Sequence, residues 1–418
     1  MSEPAGDEDA RRAAERVARA SYGRLVAYLA ARTRDLAAAE DALGDALLAA
    51  LRTWPRDGVP GKPEAWLLTA ARNALTDRAR HQRVVAASEP VLRRLRQNAR
   101  PAPASGEFPD ERLKLLFVCA HPAIEAGLRA PLMLQTVLGL DAATIARAFL
   151  VSPTAMSQRL VRAKARIRDA AARFAVPGAR ELPQRLDAVL EAVYAAFGLG
   201  WDAAPGAGAA TGLAEEAIWM ARDLVGLLPG EPEALSLLAL VLHSHARRAA
   251  RRSPEGVYIP LSEQDTGRWD AALIAEADAL LERAAARGRV GRFQLEAAIQ
   301  SVHAERARSG RTEWTAIARF YEQLARLAPT LGVRTAQAAA VGEASGPAHG
   351  LALLDTLDPK AAGGYQPYWA VRAHLLQRLG RRKPAAAAFD LAIGLSPEPA
   401  VRAFLLSKRR ALARHGGQ

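Results

Sequence analysis

The stretch of sequence that decides the fold is Leu138-Gly-Leu-Asp-Ala-Ala-Thr-Ile-Ala-Arg-Ala-Phe-Leu-Val-Ser-Pro-Thr-Ala-Met-Ser-Gln-Arg-Leu-Val-Arg-Ala-Lys-Ala-Arg-Ile-Arg168. Asp141 and Ser152 have the short polar side chains that cap helix N-termini, and each precedes a segment with apolar residues at helical spacing. Pro153 stands at the first position of the second segment. Proline is favoured there because the backbone N–H that it lacks would have no hydrogen-bond partner within the helix. The stretch therefore predicts two short helices joined by a turn, which is the helix-turn-helix arrangement.

The second of these helices has two chemically different faces. Between Thr154 and Arg168 it contains five basic residues and no acidic one, and its apolar residues fall on one stripe. Thr, Ser and Gln near its start can reach base edges, whereas Arg and Lys further along neutralise phosphates. An ordinary helical hairpin with a solvated basic face is the alternative interpretation. The candidate DNA-binding residues are Thr154, Ser157, Gln158, Arg159, Arg162, Lys164 and Arg166.

A second polar face is predicted on a helix over residues 63–83. Apolar residues at helical spacing mark its buried side, and another side mixes amide, hydroxyl and guanidinium groups, which suits contact with bases and backbone together. The Gly- and Pro-rich loop expected over residues 54–63 can receive an unstacked base. The polar side comprises Thr69, Asn73, Thr76, Arg80 and Arg83, flanked by Lys62, Arg72 and Arg78.

The helix expected before that loop, at about residues 36–54, is acidic and apolar. Asp41 and Asp45 stand beside Leu47 and Leu48, with Glu40 preceding them. Such a helix inside a basic domain points to a protein partner rather than to DNA.

Positive charge is concentrated towards the N-terminus. Residues 1–180 hold 29 of the 57 Lys and Arg but only 19 of the 44 Asp and Glu, although they make up less than half of the 418 residues. A basic surface attracts nucleic acid through the phosphate backbone. Residues 1–180 are therefore the candidate nucleic-acid-binding part of the chain.

Cysteine content and hydropathy exclude several classes of protein. A single cysteine excludes a disulfide framework and a cysteine zinc cluster, and we expect Cys119 to belong to the core rather than to form a site with His121. No apolar run approaches the roughly 20 residues that span a bilayer, and no signal-peptide pattern is visible. No catalytic constellation is recognisable either. We expect a cytoplasmic protein that is not an enzyme and that uses no cofactor, metal or membrane.

Pro and Gly clusters divide an otherwise helical sequence, so we predict an all-α fold. It consists of two small helical domains joined by a linker, the second a helix-turn-helix, followed by a helical solenoid-like domain. The expected ranges are 10–85 for the first domain, 86–109 for the linker, 110–175 for the second domain and 181–418 for the C-terminal domain.

The C-terminal domain contains a weak internal repeat. Apolar residues near the end of the chain have the spacing of one tetratricopeptide helix pair, with Gly380 before the turn, and parts of the pattern recur upstream. We therefore predict degenerate tetratricopeptide-like helix pairs, and a generic helical domain without repeats is the alternative. The residues with this spacing are Trp369, Ala373, Leu376, Ala385, Phe389, Ala392 and Pro397.

Several motifs in combination resemble extracytoplasmic-function (ECF) RNA polymerase sigma factors. Residues 41–55 and 65–77 are similar to region 2 of that family, and residues 138–168 are similar to region 4. Residues 110–122 resemble a subgroup with a long tetratricopeptide-like C-terminal extension. Shorter matches to the subgroup lie at residues 57–60, 146–151, 158–164, 264–265, 268–270 and 302–305.

The resemblance implies roles for the candidate residues. The helix with Asp41, Asp45, Leu47 and Leu48 would dock on the β′ coiled coil of core RNA polymerase, and residues 54–63 would hold a flipped base. The helix after Ser152 would enter the major groove of the −35 element, and the linker would run towards the RNA exit path, with the β flap as a further polymerase contact. The residues expected at the −10 element are Lys62, Arg72, Asn73, Asp77, Arg80 and Arg83.

The sequence thus favours a sigma initiation factor that binds RNA polymerase core and promoter DNA. Its C-terminal extension would regulate it or bind a protein partner. The alternative is a helix-turn-helix regulator that binds operators and uses the solenoid as a sensor, without docking on polymerase. Two separate DNA-facing segments and an acidic docking helix favour the sigma factor.

Overall fold

The computed structural model describes residues 5–85, 110–149, 151–170, 172, 174–178, 180–202 and 212–414. Across these residues the chain is helical, and its one β feature is an isolated antiparallel bridge between Arg252 and Tyr258. The predicted all-α fold is therefore confirmed. Contacts group the chain into two compact units, of which the first ends at Asp223 and the second begins at Leu224. The expected linker at 86–109 lies outside the described residues.

Three helices begin the first unit, namely α1 (Ala5–Thr33), α2 (Leu36–Asp57) and α3 (Pro63–Val85). Each packs on the other two. The carboxylate of Asp35 caps α2 by accepting the N–H of Ala38 at 3.1 Å. The apolar side chains between these helices are almost fully buried, among them Leu25, Tyr28, Leu29, Leu43, Leu67 and Leu68.

The loop expected over residues 54–63 is shorter than predicted. Trp54 is buried and packs edge-on against Trp66, with the ring centroids 5.6 Å apart, so α2 continues through Pro55 to Asp57. Gly58 then ends the helix, because its N–H donates to the carbonyl oxygen of Trp54 at 3.0 Å and its φ of +82° favours glycine. Residues 58–62 form the loop that remains.

Five further helices follow in the described residues of the first unit. Helices α4 and α5 precede the helix-turn-helix pair α6 and α7, and α8 packs on both α4 and α5. Contacts thus group α8 with the helices that precede it. The domain ranges expected from the sequence, in which the C-terminal domain begins at residue 181, stay predictions. The bounds are α4 (Arg112–Cys119), α5 (Ala126–Thr136), α6 (Ala142–Ala148), α7 (Pro153–Asp169) and α8 (Leu182–Asp202).

A close approach joins α1 to the end of α5. A Cβ atom on Gly23 would stand 1.7 Å from the carbonyl oxygen of Val137, a distance at which no side chain fits. Only glycine therefore allows the backbone of α1 to lie against this point. The contact connects the first three helices with the helix-turn-helix part of the same unit.

The boundary between the units falls inside α9 (Leu213–Leu227). In the part of the second unit that the structure describes, eleven more helices follow, and short 3₁₀ turns come after α10. No described helix of either unit combines the length and apolarity that a bilayer crossing requires. The bounds are α10 (Pro232–Ala246), α11 (Ala271–Ala285), α12 (Arg292–Ala304), α13 (Arg306–Ser309), α14 (Trp314–Leu327), α15 (Leu331–Ala344), α16 (Pro347–Leu354), α17 (Pro359–Gly363), α18 (Gln366–Arg378), α19 (Arg382–Leu395) and α20 (Pro399–Arg414).

The helix pair predicted near the C-terminus corresponds to α18 and α19, which pack on each other around the turn at Gly380. Ala373, Leu376, Ala385 and Phe389 lie in one buried cluster, as their spacing predicts. A tetratricopeptide ancestry of this pair stays a prediction.

Candidate nucleic-acid and protein interfaces

The helix-turn-helix predicted from residues 138–168 is present, with both of its predicted caps. The carboxylate of Asp141 accepts the N–H groups of Thr144 at 2.8 Å and Ala143 at 2.9 Å. Hydrogen bonds from the backbone and hydroxyl of Thr144 hold the pKa of Asp141 below its usual range. The hydroxyl of Ser152 accepts the N–H of Ala155 at 3.3 Å. These caps fix where α6 and α7 begin.

Helix α7 buries its apolar stripe and exposes a polar side. Met156, Leu160, Ala163 and Ile167 are the buried residues, each at most 4% exposed. Insertion into a major groove requires a helix whose polar side is exposed, and α7 meets this requirement. The exposed candidate side chains are Thr154, Ser157, Gln158, Arg159, Arg162 and Arg166.

Lys164 differs from the other candidate residues of α7. Its Nζ lies 2.5 Å from Oε2 of Glu40 on α2, and the two side chains are only 14% and 10% exposed. An ammonium group paired in this way is not available to a DNA phosphate. The structure therefore brings Lys164 together with the acidic helix rather than with the exposed basic residues of α7.

Val161 is a candidate contact that the sequence analysis missed. It is 64% exposed and lies on the same side of α7 as Gln158. An exposed apolar side chain in a groove-facing position can contact the methyl group of thymine. The signal in the sequence was an apolar residue outside the buried stripe, next to Arg162.

Helix α3 presents part of the face expected at the −10 element. Asn73 and Asp77 are exposed, Arg72 is half-buried, and Lys62 is exposed directly before the helix. Asn73 and Asp77 lie about one turn apart on α3, and Lys62 stands immediately before the first residue of the helix. The side chains of Arg80 and Arg83, also expected there, lie outside the described residues.

Helix α2 exposes an acidic and apolar surface, which we call the docking face and define as Asp41, Gly44, Asp45, Leu48 and Leu51. Leu48 is 54% exposed and Leu51 is 41% exposed, although both are large and apolar. Exposed apolar side chains grouped beside polar ones are typical of protein-binding surfaces. Sequence analysis missed Leu51.

Leu47, expected to dock with its neighbours, is half-buried on the adjacent side of α2. It therefore offers less surface to a partner than Leu48 does.

One arginine of α3 contacts both carboxylates of the docking face. Arg78 donates through one guanidinium nitrogen to Oδ2 of Asp41 at 3.0 Å and through the other to Oδ2 of Asp45 at 2.7 Å. All three side chains are more than 40% exposed, so solvent screens these pairs. Arg78 is a residue of the expected −10 helix that the sequence analysis did not connect with the docking helix.

A polar cavity of about 480 Å³, widely open to solvent, lies among α1, α2, α3, α5 and α7. Tyr22, Glu40, Gln135 and Lys164 are among its lining residues. Burial raises the pKa of Glu40 despite the opposing effect of Lys164, and burial likewise raises the pKa of the Tyr22 hydroxyl. The cavity is therefore a partly dehydrated site that contains several ionisable groups.

Cys119 lies in the core beneath these helices. Its Sγ stands 3.4 Å from the hydroxyl oxygen of Thr136, and burial raises the pKa of the thiol to about 12. A thiol that stays protonated is a poor nucleophile. Within the described ranges, no three His, Cys, Asp or Glu residues are placed to hold a metal ion.

Comparison with known proteins gives the class of the N-terminal part. Residues 17–84, which cover most of α1–α3, match Sigma-70 region 2, and this match supports a place in the sigma-factor family. The match supports a sigma-factor-like role in transcription initiation. Residues 185–285 match a family of unknown function, DUF6596.

A full-length relative shows the family of the whole chain. The chain is 38% identical over 391 residues to "Uncharacterized protein R00370" of Rhizobium meliloti (strain 1021). The aligned region covers 92% of this chain and 91% of that protein. The chain therefore belongs to the same family as the Rhizobium protein. No solved structure matches it.

Proposed function

We propose that the protein is an ECF-type sigma factor that directs RNA polymerase to particular promoters and opens their −10 region. Helix α2 docks on the β′ coiled coil, α3 and residues 58–62 lie over the −10 element and hold an unpaired base, and α7 enters the major groove of the −35 element. The linker at 86–109 runs towards the RNA exit path, near the β flap. Opening of the promoter is driven by the free energy of binding and involves no covalent step, so no catalytic residue is needed.

One observation carries this proposal: a single compact unit contains the exposed acidic and apolar surface of α2 and two separate exposed polar helix surfaces, on α3 and α7. An operator-binding regulator needs α7 but has no use for exposed Leu48 and Leu51 beside two aspartates. The match of α1–α3 to Sigma-70 region 2 supports the same function independently.

The C-terminal unit has a separate role in this proposal. Its helix pairs, which we interpret as tetratricopeptide-like, regulate the sigma factor or bind a protein partner in the cytoplasm. Its cluster around α18 and α19 is built like a stacked helix pair, which leaves helix surfaces for such a partner.

Run-off transcription with purified core RNA polymerase tests the function. A library of promoter fragments is transcribed with core alone, with core plus this protein, and with core plus a variant that carries Leu48→Glu. The matched control is Val290→Glu, which changes an equally apolar residue that is 63% exposed in the second unit. DNA binding by the protein without polymerase is measured in parallel at physiological salt.

We expect promoter-specific transcripts with the wild type and the Val290→Glu control, and none with Leu48→Glu. The protein alone should bind duplex DNA weakly, because its phosphate contacts are few and salt-sensitive. Tight, sequence-specific binding without polymerase, together with no effect on run-off, would instead establish the operator-binding regulator.

A further inference from the structure

We propose that the second unit binds a small organic anion, which has one carboxylate or phosphate group and a flat apolar part. The site is a cavity of about 500 Å³ between the 3₁₀ turn at Leu261–Glu263 and helices α12, α13, α14, α15 and α18. Sites for small molecules commonly have volumes of about 300–1,000 Å³. This inference goes beyond the proposed function and requires neither RNA polymerase nor DNA.

Arg306 supplies the first cation of the cavity. Its two terminal guanidinium nitrogens donate to the carbonyl oxygens of Ser262 and Gln264, each at 2.8 Å, and its Cζ lies 5.1 Å from the ring centroid of Trp269. These partners fix the orientation of the group but are neutral, and no carboxylate in the described part of the chain pairs with it. An arginine held in this way keeps its charge, and some of its five N–H donors, available to an anion.

A second arginine makes the surroundings of the cavity more positive. Arg247 is 8% exposed and donates to the side-chain oxygen of Gln300 and the carbonyl oxygen of His243, which are both neutral acceptors. Among the described residues it too has no carboxylate partner. Burial, followed by the charges of Arg251 and Arg306, lowers the pKa of Arg247 to about 10. Buried charges are normally paired, so this part of the unit has a positive potential that an anion would offset.

His303 lines the cavity and is affected by both arginines. Burial, followed by the charges of Arg247 and Arg306, lowers the pKa of His303 to about 4, so the imidazole is neutral at pH 7. A neutral imidazole has one N–H donor, and its ring nitrogens form no hydrogen bond with the residues that the structure describes. The ring is therefore available as a second, neutral donor to a ligand that pairs with Arg306.

The other charged groups of the lining are already paired. Oε1 of Glu343 lies 2.7 Å from Nη1 of Arg378 and 2.9 Å from Nε2 of His374. Arg311 contacts Glu313 at 2.9 Å, and solvent screens that pair because both side chains are at least half exposed. The carboxylate of Glu343 is thus offset within its own cluster and does not neutralise the cations described above. The cavity as a whole therefore favours a negatively charged ligand.

An aromatic wall gives the cavity its apolar side. The rings of Trp314 and His303 meet edge to face, with their centroids 5.4 Å apart and an interplanar angle of 81°. Trp314 also packs on the buried cluster that contains Ile317 and Leu324, which fixes the indole. A fixed indole beside a cation suits a flat ligand with an anionic group, because ring contact and charge pairing act on different parts of it. Inorganic phosphate alone would leave this wall without a contact.

Binding is measured on the full-length protein by ligand-observed NMR titration with four probes. Benzoate and phenyl phosphate each join an aromatic ring to one of the two types of anionic group. Benzamide has the ring without the charge, and inorganic phosphate has the charge without the ring. Ligands of this size reach Kd values of about 10 mM or lower in ordinary sites, so concentrations up to about 10 mM cover the expected range.

Two pairs of variants distinguish this cavity from the rest of the surface. Arg306→Gln removes the cation, and its control Arg308→Gln changes an exposed arginine of the same short helix outside the cavity lining. Thr312→Trp fills the cavity with a larger side chain, and its control Thr315→Trp makes the same change at an exposed position on α14. Circular dichroism shows that each variant is folded. Because Thr312→Trp retains Arg306, it tests the site even where Arg306→Gln does not fold.

We expect at least one of the two aromatic anions to bind the wild type, and the tighter one identifies the preferred anionic group. Its affinity should fall about tenfold or more in Arg306→Gln, because a hydrogen bond to a charged group is lost. Binding should be undetectable in Thr312→Trp and unchanged in both controls. Benzamide and inorganic phosphate should bind at least about tenfold more weakly than the better anion, because each lacks one of the two contacts.

Failure of both aromatic anions to bind the wild type would overturn the proposal. Equal affinity in folded Thr312→Trp would do the same, since the ligand would then lie elsewhere. Equal affinity for benzamide would exclude a contribution from the cations. Inorganic phosphate that binds as tightly as phenyl phosphate would overturn the assignment to an organic anion and indicate a simple ion site.

Discussion

One guanidinium nitrogen of Arg78 on α3 lies 2.7 Å from Oδ2 of Asp45 on α2. The other nitrogen of the same group lies 3.0 Å from Oδ2 of Asp41. A cation from the helix that we assign to the −10 element therefore neutralises both carboxylates that we assign to polymerase. Exposed pairs of this kind contribute about 0–1 kcal/mol each. They can thus be exchanged for contacts with another protein at little cost.

Removal of Arg78 should strengthen docking. We expect Arg78→Ala to bind core polymerase up to about fivefold more tightly at low salt, because an exposed pair worth at most about 1 kcal/mol is lost. Biolayer interferometry at two salt concentrations measures the effect, which should shrink at the higher one. The control is Arg283→Ala, at an exposed arginine of the second unit. An equal gain in the control would show that net charge, and not the pair, is responsible.

Reversal of the docking face should abolish binding to polymerase. We expect Asp45→Arg with Leu48→Glu to weaken association by at least about 100-fold, since like charges placed against a partner cost several kcal/mol. Both side chains are exposed, so the fold should be intact by circular dichroism. Glu282→Arg with Val290→Glu makes the same changes in the second unit as a control. A normal pull-down of core by the folded double variant would place docking elsewhere.

The basic residues of α7 should divide into base and phosphate contacts. We expect Arg159→Ala to change which −35 sequences are preferred, because a base contact discriminates by about 1–3 kcal/mol. Arg166 is nearly two turns further along, and Arg166→Ala should reduce output evenly and lower the salt slope by about one. Transcription from a −35 library separates the two results. Unchanged preferences in Gln158, Arg159 and Arg162 variants would exclude base contact by this face.

Acid should destabilise the second unit through His303. Burial, followed by the nearby charges of Arg247 and Arg306, lowers the pKa of His303 to about 4. As the pH falls, the histidine of the unfolded state is protonated before that of the folded state. The free energy of unfolding therefore decreases between about pH 6.5 and pH 4, by at most about 1.4 kcal/mol per pH unit. Urea unfolding at pH 7 and pH 5 measures this loss.

The variant His303→Gln should reduce that pH dependence. The control is His349→Gln, which replaces an exposed histidine of the same unit. An identical pH dependence in wild type and His303→Gln would assign the acid sensitivity to other groups.

Local features of the site were predictable from the sequence. The caps Asp141 and Ser152 act on N–H groups two or three residues away, so spacing alone predicts them. The buried stripe of α7 follows from helical periodicity in the same way. The predicted end of α2 was about one turn too early, because the packing of Trp54 on Trp66 outweighs the preference of Pro and Gly for a loop.

Contacts between distant segments were not predictable. Lys164 has the same sequence signature as Arg162 and Arg166, and only tertiary packing places it beside Glu40. Arg78 likewise has no local feature that indicates two carboxylates on another helix. Charge patterns therefore indicated which helices have charged sides, whereas the ion pairs between helices could be found only from the fold.

The absence of a side chain at Gly23 has a consequence for which sequences this unit can accept during evolution. A methyl group at this position collides with the backbone at Val137, so Gly23→Ala has to move α1 away from the end of α5. The collision is with backbone atoms, which cannot turn away as the end of a flexible side chain can. Selection at position 23 therefore acts on a contact between two helices, at a place where helix propensity alone would favour alanine.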